Sequence, residues 1–468
     1  MTLTLTRGEL KTAVAGFSKI VNGKSHTLPI LGCVRFEAGK HITAQATDLD
    51  QHAHYRFTDS QADGTGVLVI PLQHLKDLAK GADAERIDLQ AGADDEITVT
   101  NRTGAHVMTQ TVTGMPAADW PPCLDEIPVA AADRFLPTYR RCVPFASTDQ
   151  TRRVLNGIYV DLEGKDNSKA TLVATDGRRL TCCNSLTLPL KAKNGVIVPV
   201  SKFLTWAGLG DDCCIGVGAR KTAGWFGLQA GPWTYWVKLV DGTFPNWRQV
   251  LPGAGEMDHQ IAFADQDVLA VKKVLPTLPG GDGVAIVCTA DGAVLLTGRN
   301  AGDKAETTVA LTAGTKYTGM GARVLVNREF LLDALTAGFR NFGFQDTGSP
   351  LRSDDGAGGI HVLMPQRNES PVPAQTAAPE TPATPTPAAE TPPATSKEKT
   401  MPENTVELTA LDKMQAAYEV ARGKIREASQ ALTDLAGAIK DAAKEDRARR
   451  TEIENVRAGL QKLQAIRV

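Results

Sequence analysis

The chain opens with apolar residues at helical spacing, and the same arrangement returns twice further along. Leu10, Val14 and Phe17 fall on one face of a helix. Comparable amphipathic stretches cover Arg134–Ala146 and Asp265–Leu275. Short segments with alternating apolar and polar residues follow, such as CVRFEA, GIYVDLEG and VAIVCTA. Such alternation is typical of strands with one buried face. The pattern therefore predicts an α+β fold with helices gathered on one face of antiparallel sheets.

A strand-then-helix segment recurs at an interval of 128 residues. Gly66–Gly81 reads GVLVIPLQHLKDLAKG, Gly195–Gly210 reads GVIVPVSKFLTWAGLG, and Arg323–Gly338 reads RVLVNREFLLDALTAG. Thr47 in ATDLD and Thr175 in ATDGR are also 128 positions apart. A fixed period indicates copies of one structural unit. The sequence therefore predicts three similar units, each with two helices.

The composition changes abruptly after Arg367. Residues 368–404 are rich in proline, alanine and threonine and contain no aromatic residue, which predicts an extended, disordered linker. From Leu411 onward apolar residues recur in steps of three and four, which favours a helical coiled coil over 405–468. The pattern breaks at KEDRARR. One long self-associating or partner-binding helix, a helical hairpin, and an amphipathic helix that packs on the main body are therefore all open.

Net charge and cysteine content say more about where in the cell the protein is located than about its function. The formal net charge is −2, so the chain as a whole is not a polycation, although the distribution of charge decides nucleic-acid binding. The eight cysteines include no CxxC, which favours buried thiols in a reducing cytosol. No apolar signal core and no run of 18 apolar residues occurs. We therefore expect a cytoplasmic protein without a membrane segment.

Residues that could carry catalysis or bind a metal are few. Asp48 and Asp50 form a carboxylate pair, and His52 and His54 alternate along a strand, but neither pair has a further ligand at suitable spacing. GxSxG, Walker-type and Cys–His signatures are absent. We therefore expect no catalytic residue, no metal and no cofactor, which leaves an uncharacterised hydrolase as a weak alternative.

Several ordered motifs in the repeats resemble one protein family. The stretches LPILG, LNG, VATDGRRL, VIVP, KLVDGTFPNWRQVLP, VNREFLLDAL and VLMPQR are similar to the bacterial DNA polymerase III β subunit, the sliding clamp. The resemblance implies three clamp domains per protomer and two protomers joined head to tail in a ring, with helices around the hole. With the tail, the expected divisions are 1–125, 126–254 and 255–367 for the clamp domains, 368–404 for the linker, and 405–468 for the coiled coil.

The resemblance also implies that the ring encircles double-stranded DNA and holds it by topology. Weak contacts with phosphate are then sufficient, and these carry no sequence information. The residues expected near DNA lie on the helices and on two loops: Lys24, Lys76, Lys80, Arg140, Arg141, Gln150, Arg152, Lys202, Lys272 and Lys273.

A second site implied by the resemblance is a hydrophobic cleft between the second and third domains. It takes leucine and aromatic side chains from short peptides of the DNA polymerase, the clamp loader and repair proteins. A pocket of this kind needs apolar walls and a few polar groups. The residues expected there are Leu155, Thr175, Gly177, Arg178, Arg179, Leu180, Pro245, Val250, Asn327, Phe330, Val362, Met364 and Pro365.

Three positions depart from the family pattern and leave the choice of peptide open. Gln249 stands where arginine is common, Gly281 where a larger side chain is common, and Gln366 where methionine is common. Two readings of the whole chain therefore stand side by side. In the first it is a non-catalytic clamp in the bacterial cytoplasm, associated with the nucleoid, whether as the housekeeping clamp or a paralogue. In the second it is a diverged scaffold that assembles through its coiled coil without encircling DNA.

Overall fold

The computed structural model describes most of the three predicted repeats. The linker (368–404), the coiled coil (405–468), Lys24 and Arg367 lie outside the described residues. The described part of the chain is 1–366 without 22–27, 104–105, 123–126, 164–168, 189, 191–194, 221–222, 254, 256, 301 and 304.

The described residues contain five α-helices, which are α1 (Arg7–Phe17), α2 (Leu72–Leu78), α3 (Phe135–Cys142), α4 (Asp265–Val274) and α5 (Arg328–Thr336). The start of α5 shows how the sequence sets a boundary. The side-chain oxygen of Asn327 accepts hydrogen bonds from the backbone N–H groups of Glu329 and Phe330, at 2.9 and 3.2 Å. It thereby satisfies two donors that the first turn leaves free.

The second repeat differs from the prediction, because the segment after Pro199 is not an α-helix. Residues 202–205 form turns, and only Ala207–Leu209 is a short 3-10 helix. The side chain of Ser201 accepts a hydrogen bond from Phe203 N–H at 3.1 Å, which competes with helical bonding. Two glycines, at 208 and 210, further disfavour a helix.

The strands of the described residues are short and follow one another closely. In chain order they are β1 (Thr2–Thr6), β2 (Cys33–Ala38), β3 (Ile42–Thr47), β4 (Gln51–Phe57), β5 (Gln61–Asp63), β6 (Gly66–Pro71), β7 (Arg86–Ala91), β8 (Glu96–Thr103), β9 (His106–Thr113), β10 (Ala130–Ala131), β11 (Gly157–Glu163), β12 (Lys169–Thr175), β13 (Arg179–Leu186), β14 (Val196–Pro199), β15 (Cys214–Arg220), β16 (Ala223–Ala230), β17 (Trp233–Lys238), β18 (His259–Ala262), β19 (Gly283–Cys288), β20 (Val294–Gly298), β21 (Thr307–Leu311), β22 (Lys316–Thr318), β23 (Ala322–Asn327), β24 (Asn341–Phe344), β25 (Leu351–Asp354) and β26 (Gly359–Leu363).

These strands build four antiparallel sheets, and two of the sheets cross from one repeat to the next. An eight-stranded sheet has the order β10-β15-β16-β17-β4-β3-β2-β6, and a nine-stranded sheet has the order β14-β11-β12-β13-β26-β25-β24-β18-β22. A five-stranded sheet, β5-β1-β7-β8-β9, belongs to the first repeat, and a four-stranded sheet, β21-β20-β19-β23, belongs to the third. The expected α+β class with antiparallel sheets is confirmed, whereas the limits of the individual domains stay predictions.

The two junctions between repeats use the same strand pairing. In the first junction β4 pairs with β17, which sets His52 opposite Trp236. In the second junction β13 pairs with β26, which sets Leu180 opposite Val362. The topology is therefore repeated, but only the second junction carries two aliphatic side chains at this position.

The first junction is closed by an aromatic cluster against α1. Gly16 lies so close to the ring of Trp233 that an added Cβ would stand 2.3 Å from it. The Phe17 and Trp233 rings meet edge to face, with centroids 5.3 Å apart. This contact between a helix of the first repeat and a strand of the second ties the two units together.

Candidate partner cleft and DNA interface

A cavity of about 230 Å³ lies at the end of the β13–β26 pair. Leu180 and Val362 are buried, whereas Val250 is 53% exposed and Met364 is 41% exposed. Exposed apolar side chains next to a buried apolar pair are typical of a binding pocket. The cavity is lined by Leu155, Thr175, Gly177, Arg178, Arg179, Leu180, Pro245, Trp247, Val250, Val362 and Met364.

One rim of the cavity is a tight turn between β12 and β13. The Thr175 hydroxyl donates to the carbonyl of Arg179 at 2.7 Å and accepts from the N–H of Gly177 at 3.0 Å. Asp176 accepts from the N–H of Arg178 at 2.8 Å. The sequence TDG thus satisfies its own backbone groups and fixes the turn.

The first repeat forms the same turn between β3 and β4. The Thr47 hydroxyl donates to the carbonyl of Gln51 at 2.8 Å and accepts from the N–H of Leu49 at 3.0 Å. Leu49 has a φ of 80°, at the position that Gly177 holds with a φ of 89°. The shared tripeptide ATD is therefore a structural turn in both repeats, and its surroundings differ.

Trp247 also lines the cavity, although it is not among the residues expected there from the sequence. Its indole N–H donates to a carboxylate oxygen of Asp161 at 2.8 Å, and the guanidinium of Arg248 lies 4.5 Å from its ring centroid. The side chain is mostly buried. Trp247 lies between Pro245 and Val250 in the chain, and both of these are expected at the cleft. This proximity in sequence is the signal that could have predicted its position. The buried indole gives the cavity an aromatic wall.

Arg179 joins the cavity to the third repeat. Its guanidinium donates to Asp176 at 3.0 Å, to Asp333 on α5 at 2.7 Å and to the carbonyl of Pro144 at 2.7 Å. It also lies 4.1 Å from the ring centroid of Phe330. This largely buried arginine is held on every side, so the cavity wall is rigid rather than adaptable at this point.

Three residues expected at the cleft do not line the cavity. Asn327 caps α5, as described above, and Phe330 lies beneath the guanidinium of Arg179. Pro365 follows the lining residue Met364 directly in the chain and is half-buried. The other ten expected residues are brought together around the one cavity.

His361, next to the cavity on β26, is fully buried between two aromatic rings. The ring centroids of Phe145 and Phe339 lie 4.9 and 5.2 Å from that of the histidine. Its Nδ1 lies 2.7 Å from the Thr181 hydroxyl. Burial, reinforced by the positive charge of Arg179, lowers the pKa of His361 to about 3. The histidine is therefore neutral in the folded chain at ordinary pH.

We expect the folded chain to lose stability as the pH falls from about 6.5 towards 3. In the unfolded chain His361 takes up a proton near its ordinary pKa of about 6.5, whereas in the folded chain it resists protonation. From pH 7 to pH 5 this group should remove about 2 kcal/mol from the free energy of unfolding. Urea unfolding at both pH values measures the change.

His361→Gln provides the comparison for this prediction. The pKa of His54 is also lowered, to about 4, so it adds to the pH dependence of both proteins in the same direction. The difference between the two pH dependences therefore isolates His361. Equal pH dependences in the two proteins would contradict the prediction.

Arg140, expected near DNA, is instead used within the second repeat. Its guanidinium donates to the carbonyls of Leu204, Trp206 and Gly210 at 3.2, 3.1 and 2.8 Å, and to Asp211 at 2.6 Å. The segment after Pro199 does not continue as a helix, so its backbone carbonyls are accessible to this guanidinium, although that of Trp206 also accepts from the N–H of Leu209 at 3.2 Å. The arginine satisfies them, so its position does not match the DNA-binding role expected from the sequence.

Arg141 is also engaged within the protein, across the junction of the second and third repeats. It donates to the carbonyl of Ala337 at 2.9 Å, pairs with Asp355 at 2.5 Å, and stacks 4.5 Å from the ring centroid of Phe339. Lys80 is exposed and pairs with Asp77 at 2.8 Å. The expectation that Arg141 is available to DNA is therefore not matched by its contacts.

The remaining cations of the expected DNA interface are less engaged. Within the described ranges, Lys76, Lys202, Lys272 and Lys273 make no ion pair, and Lys202 and Lys273 are exposed. Lys272 and Lys273 lie in the last turn of α4, where the helix dipole favours positive charge. Among the residues expected at the DNA interface that the structure describes, these four lysines are the cations without an ion pair.

The loop that carries Gln150 and Arg152 lies beside the cleft. An added Cβ at Gly177 would stand 3.3 Å from Nη1 of Arg152, so this arginine borders the peptide cavity. Gln150 is exposed and lines a different cavity, described below. The two residues expected together near DNA are therefore directed to two different places.

The part of the chain that the structure describes offers no group of three His, Cys, Asp or Glu side chains placed to hold a metal ion. Within the same residues, no helix is long and apolar enough to cross a membrane.

Known proteins are similar to this chain in sequence and in fold. The family model described as "DNA polymerase III beta subunit, central domain" matches residues 138–246. A protein named "Beta sliding clamp" from Caulobacter vibrioides is 28% identical over 393 residues, which covers 78% of this chain and 100% of that protein. A protein of the same name from Salmonella typhimurium is 29% identical over 269 residues, which covers 54% of this chain and 68% of that protein.

Solved structures show the same arrangement. The DNA polymerase III subunit beta from Pseudomonas aeruginosa is similar with a TM-score of 0.65 and 23% identity, over 79% of this chain and 100% of that one. The subunit beta from Borrelia burgdorferi is similar with a TM-score of 0.68 and 15% identity, over 79% of this chain and 98% of that one. Three repeated units, joined by shared sheets and with a pocket at the second junction, define the class of clamp-fold proteins. Within this class, the family model over residues 138–246, the curated relatives and the solved structures all point to the bacterial DNA polymerase III beta subunits, the beta sliding clamps, as the family that this chain resembles.

Proposed function

We propose that this chain is a DNA sliding clamp, which encircles duplex DNA and tethers a DNA polymerase to it. The observation that carries the proposal is the apolar cavity at the junction of the second and third repeats, with Val250 and Met364 exposed at its mouth. Such a pocket accepts leucine and aromatic side chains from a short extended peptide of a polymerase, a clamp loader or a repair protein. The chain itself acts as a non-catalytic subunit in the bacterial cytoplasm, on the nucleoid.

Closure of a ring requires two free sheet edges, and the described part of the chain has a suitable pair. β9 is an edge of the five-stranded sheet, and β21 is an edge of the four-stranded sheet. Val107 and Met108 on β9 are 60% and 55% exposed. Exposed edges with apolar side chains favour pairing with another chain. Head-to-tail pairing of β9 with β21 of a partner subunit, made twice, closes a two-fold ring.

DNA contact in this proposal depends on phosphate neutralisation by the available lysines. We expect Lys272→Ala with Lys273→Ala to reduce the slope of log affinity against log salt by about 1 for each lysine that contacts phosphate. Titration of the full-length chain with linear duplex DNA between low and moderate salt measures the slope. Lys169→Ala, which removes an exposed lysine at the start of β12, is the control and should leave the slope unchanged. An unchanged slope in the double variant would remove these lysines from the interface.

Retention on circular DNA tests the proposed function. After loading, the protein should stay on nicked circular DNA at high salt and leave when the circle is linearised, because only topology holds it. Equal loss from both forms would overturn the proposal. Deletion of residues 368–468 separates it from the scaffold alternative, since a clamp should remain a dimer and support processive synthesis without the tail.

A further inference from the structure

A second, larger cavity adjoins the cleft. Its volume is about 540 Å³, against about 230 Å³ for the cleft. Its walls come from four segments of the first and second repeats, residues 50–51, 147–156, 199–201 and 237–241. We refer to it as the flanking cavity. Its walls are mixed, with apolar side chains such as Val200 and Leu239 beside charged ones.

The flanking cavity and the cleft share two walls. In the first wall, Arg153 lines the flanking cavity and Leu155, two residues on, lines the cleft. In the second, Asp241 lines the flanking cavity and Pro245, four residues on, lines the cleft. These two shared walls form a ridge between the cavities. A peptide that extends from the cleft across this ridge therefore reaches the flanking cavity.

The ridge between the two cavities is thin and closely packed. Gly242 has a φ of +131°, and an added Cβ there would stand 2.5 Å from Cγ1 of Val154. On one side of Val154, Arg152 borders the cleft next to Gly177, and the adjacent Arg153 lines the flanking cavity. Two consecutive arginines therefore lie at two neighbouring cavities, Arg152 at the cleft and Arg153 at the flanking cavity.

The charges around the ridge favour an acidic ligand. Three exposed arginines lie there, Arg152, Arg153 and Arg178, and Arg152 pairs with Asp149 at 3.9 Å. Within the described ranges Arg153 makes no ion pair. A guanidinium without a partner at the edge of a concave site is suited to bind a carboxylate.

The same cavity is poorly suited to the phosphate backbone of DNA. Asp50 and Asp241 both line it, and Lys238, the other cation of the cavity, is paired with Asp50 at 4.0 Å. The formal charges of the lining, Asp50 and Asp241 against Arg153 and Lys238, cancel, so the cavity offers one guanidinium without an ion pair rather than a positive surface for a polyanion.

We propose that the flanking cavity binds acidic residues that flank the cleft-bound motif in a partner peptide, with Arg153 as their ligand. This inference rests on the proposed function, because the cleft must hold the motif first. The partner's recognition segment is then bipartite: an apolar anchor in the cleft and an acidic extension across the ridge. The extension adds specificity for partners whose anchors are alike.

Synthetic peptides and the full-length chain test this inference. The core probe is a short peptide that ends in leucine and phenylalanine. Extended probes add about five residues with two glutamates on one side or the other, a length that reaches roughly 17 Å when extended. Fluorescence anisotropy gives the dissociation constants. One of the glutamate extensions should bind about three- to fivefold more tightly than the core, and lysine extensions should not.

Variants of Arg153 then assign the gain to the flanking cavity. Arg153→Gln should abolish the gain and leave binding of the core peptide unchanged, and Arg153→Lys should restore part of it. Arg86→Gln, which removes an exposed arginine on β7, is the control and should keep the full gain. Retention on nicked circular DNA should be unaffected by Arg153→Gln.

The outcomes separate this inference from the proposed function. Failure of the core peptide to bind the unmodified chain would overturn the cleft proposal itself. Core binding without any gain from glutamate would overturn only the flanking-cavity inference. A gain that survives Arg153→Gln, or a loss of DNA retention in that variant, would also overturn it, the latter in favour of a phosphate contact.

Discussion

Replacing both exposed apolar residues at the mouth of the cleft, Val250→Asp with Met364→Asp, is expected to weaken binding of a leucine- and phenylalanine-containing peptide by at least about tenfold. The two side chains are 53% and 41% exposed, so they contribute little to the folded core and are free to cover a ligand. Carboxylates in their place would have to be desolvated when the peptide enters. Fluorescence anisotropy with the full-length chain measures the loss.

The same variant should leave the ring intact, which distinguishes a lost partner site from a damaged fold. Retention on nicked circular DNA and the midpoint of urea unfolding are both expected to match the unmodified chain. Gln249→Asp, a substitution of an exposed neighbour outside the lining of the cavity, is the matched control and should retain peptide affinity. Full peptide affinity in the double variant would show that the ligand binds elsewhere.

Local patterns in the sequence were sufficient to predict the repeat, whereas most of the cleft residues were predicted from the resemblance of the motifs to a known family. The 128-residue interval links Thr47 with Thr175, and both form the same self-bonded turn. The residues of TDGRRL and the closing VLMP stretch meet because β13 pairs with β26. Short motifs carry this information since each one specifies its own turn or strand, and the shared topology of the repeats brings them together.

The features that were not predicted depend on contacts between distant residues. The sequence predicts that Arg140 and Arg141 are charges on an exposed helix face. In the structure their guanidinium groups bond to backbone carbonyls and pair with Asp211 and Asp355, respectively. Several of those acceptors are backbone carbonyls in the non-helical segment after Pro199. Hydrophobic periodicity does not reveal that this segment is not a helix. The position of a cation on a helix therefore indicates which face it lies on. Hydrogen-bond acceptors nearby decide whether it remains available to bind phosphate.

The positive lining of the proposed ring would consequently depend on fewer residues than the sequence suggests. Of the ten residues expected near DNA, Lys24 lies outside the described residues, and two arginines are held in place within the protein. Four lysines, at positions 76, 202, 272 and 273, remain without an ion pair in the described part of the chain. A small number of phosphate contacts suits a ring that holds DNA by topology, because each further contact would slow sliding.

Charging the exposed edge of β9 should therefore have the largest effect on function, because it opens the ring. Val107→Glu with Met108→Glu places two carboxylates where β21 of a partner subunit is expected to pair, and burying them unpaired is strongly unfavourable. We expect nearly complete loss of retention on nicked circular DNA for the full-length chain, with peptide binding in the cleft unchanged.

Retention on nicked circular DNA is the appropriate measurement, because the predicted coiled coil could still join two chains after the β9 edge is disrupted. A size measurement alone would then report a dimer, whereas retention on a circle requires both β9–β21 contacts to be closed at once. Met320→Glu, which places the same charge on another exposed methionine, between β22 and β23, is the control and should be retained. Retention of the double variant on the circle would show that β9 is not the closing edge, since a ring held by topology cannot survive a permanent gap.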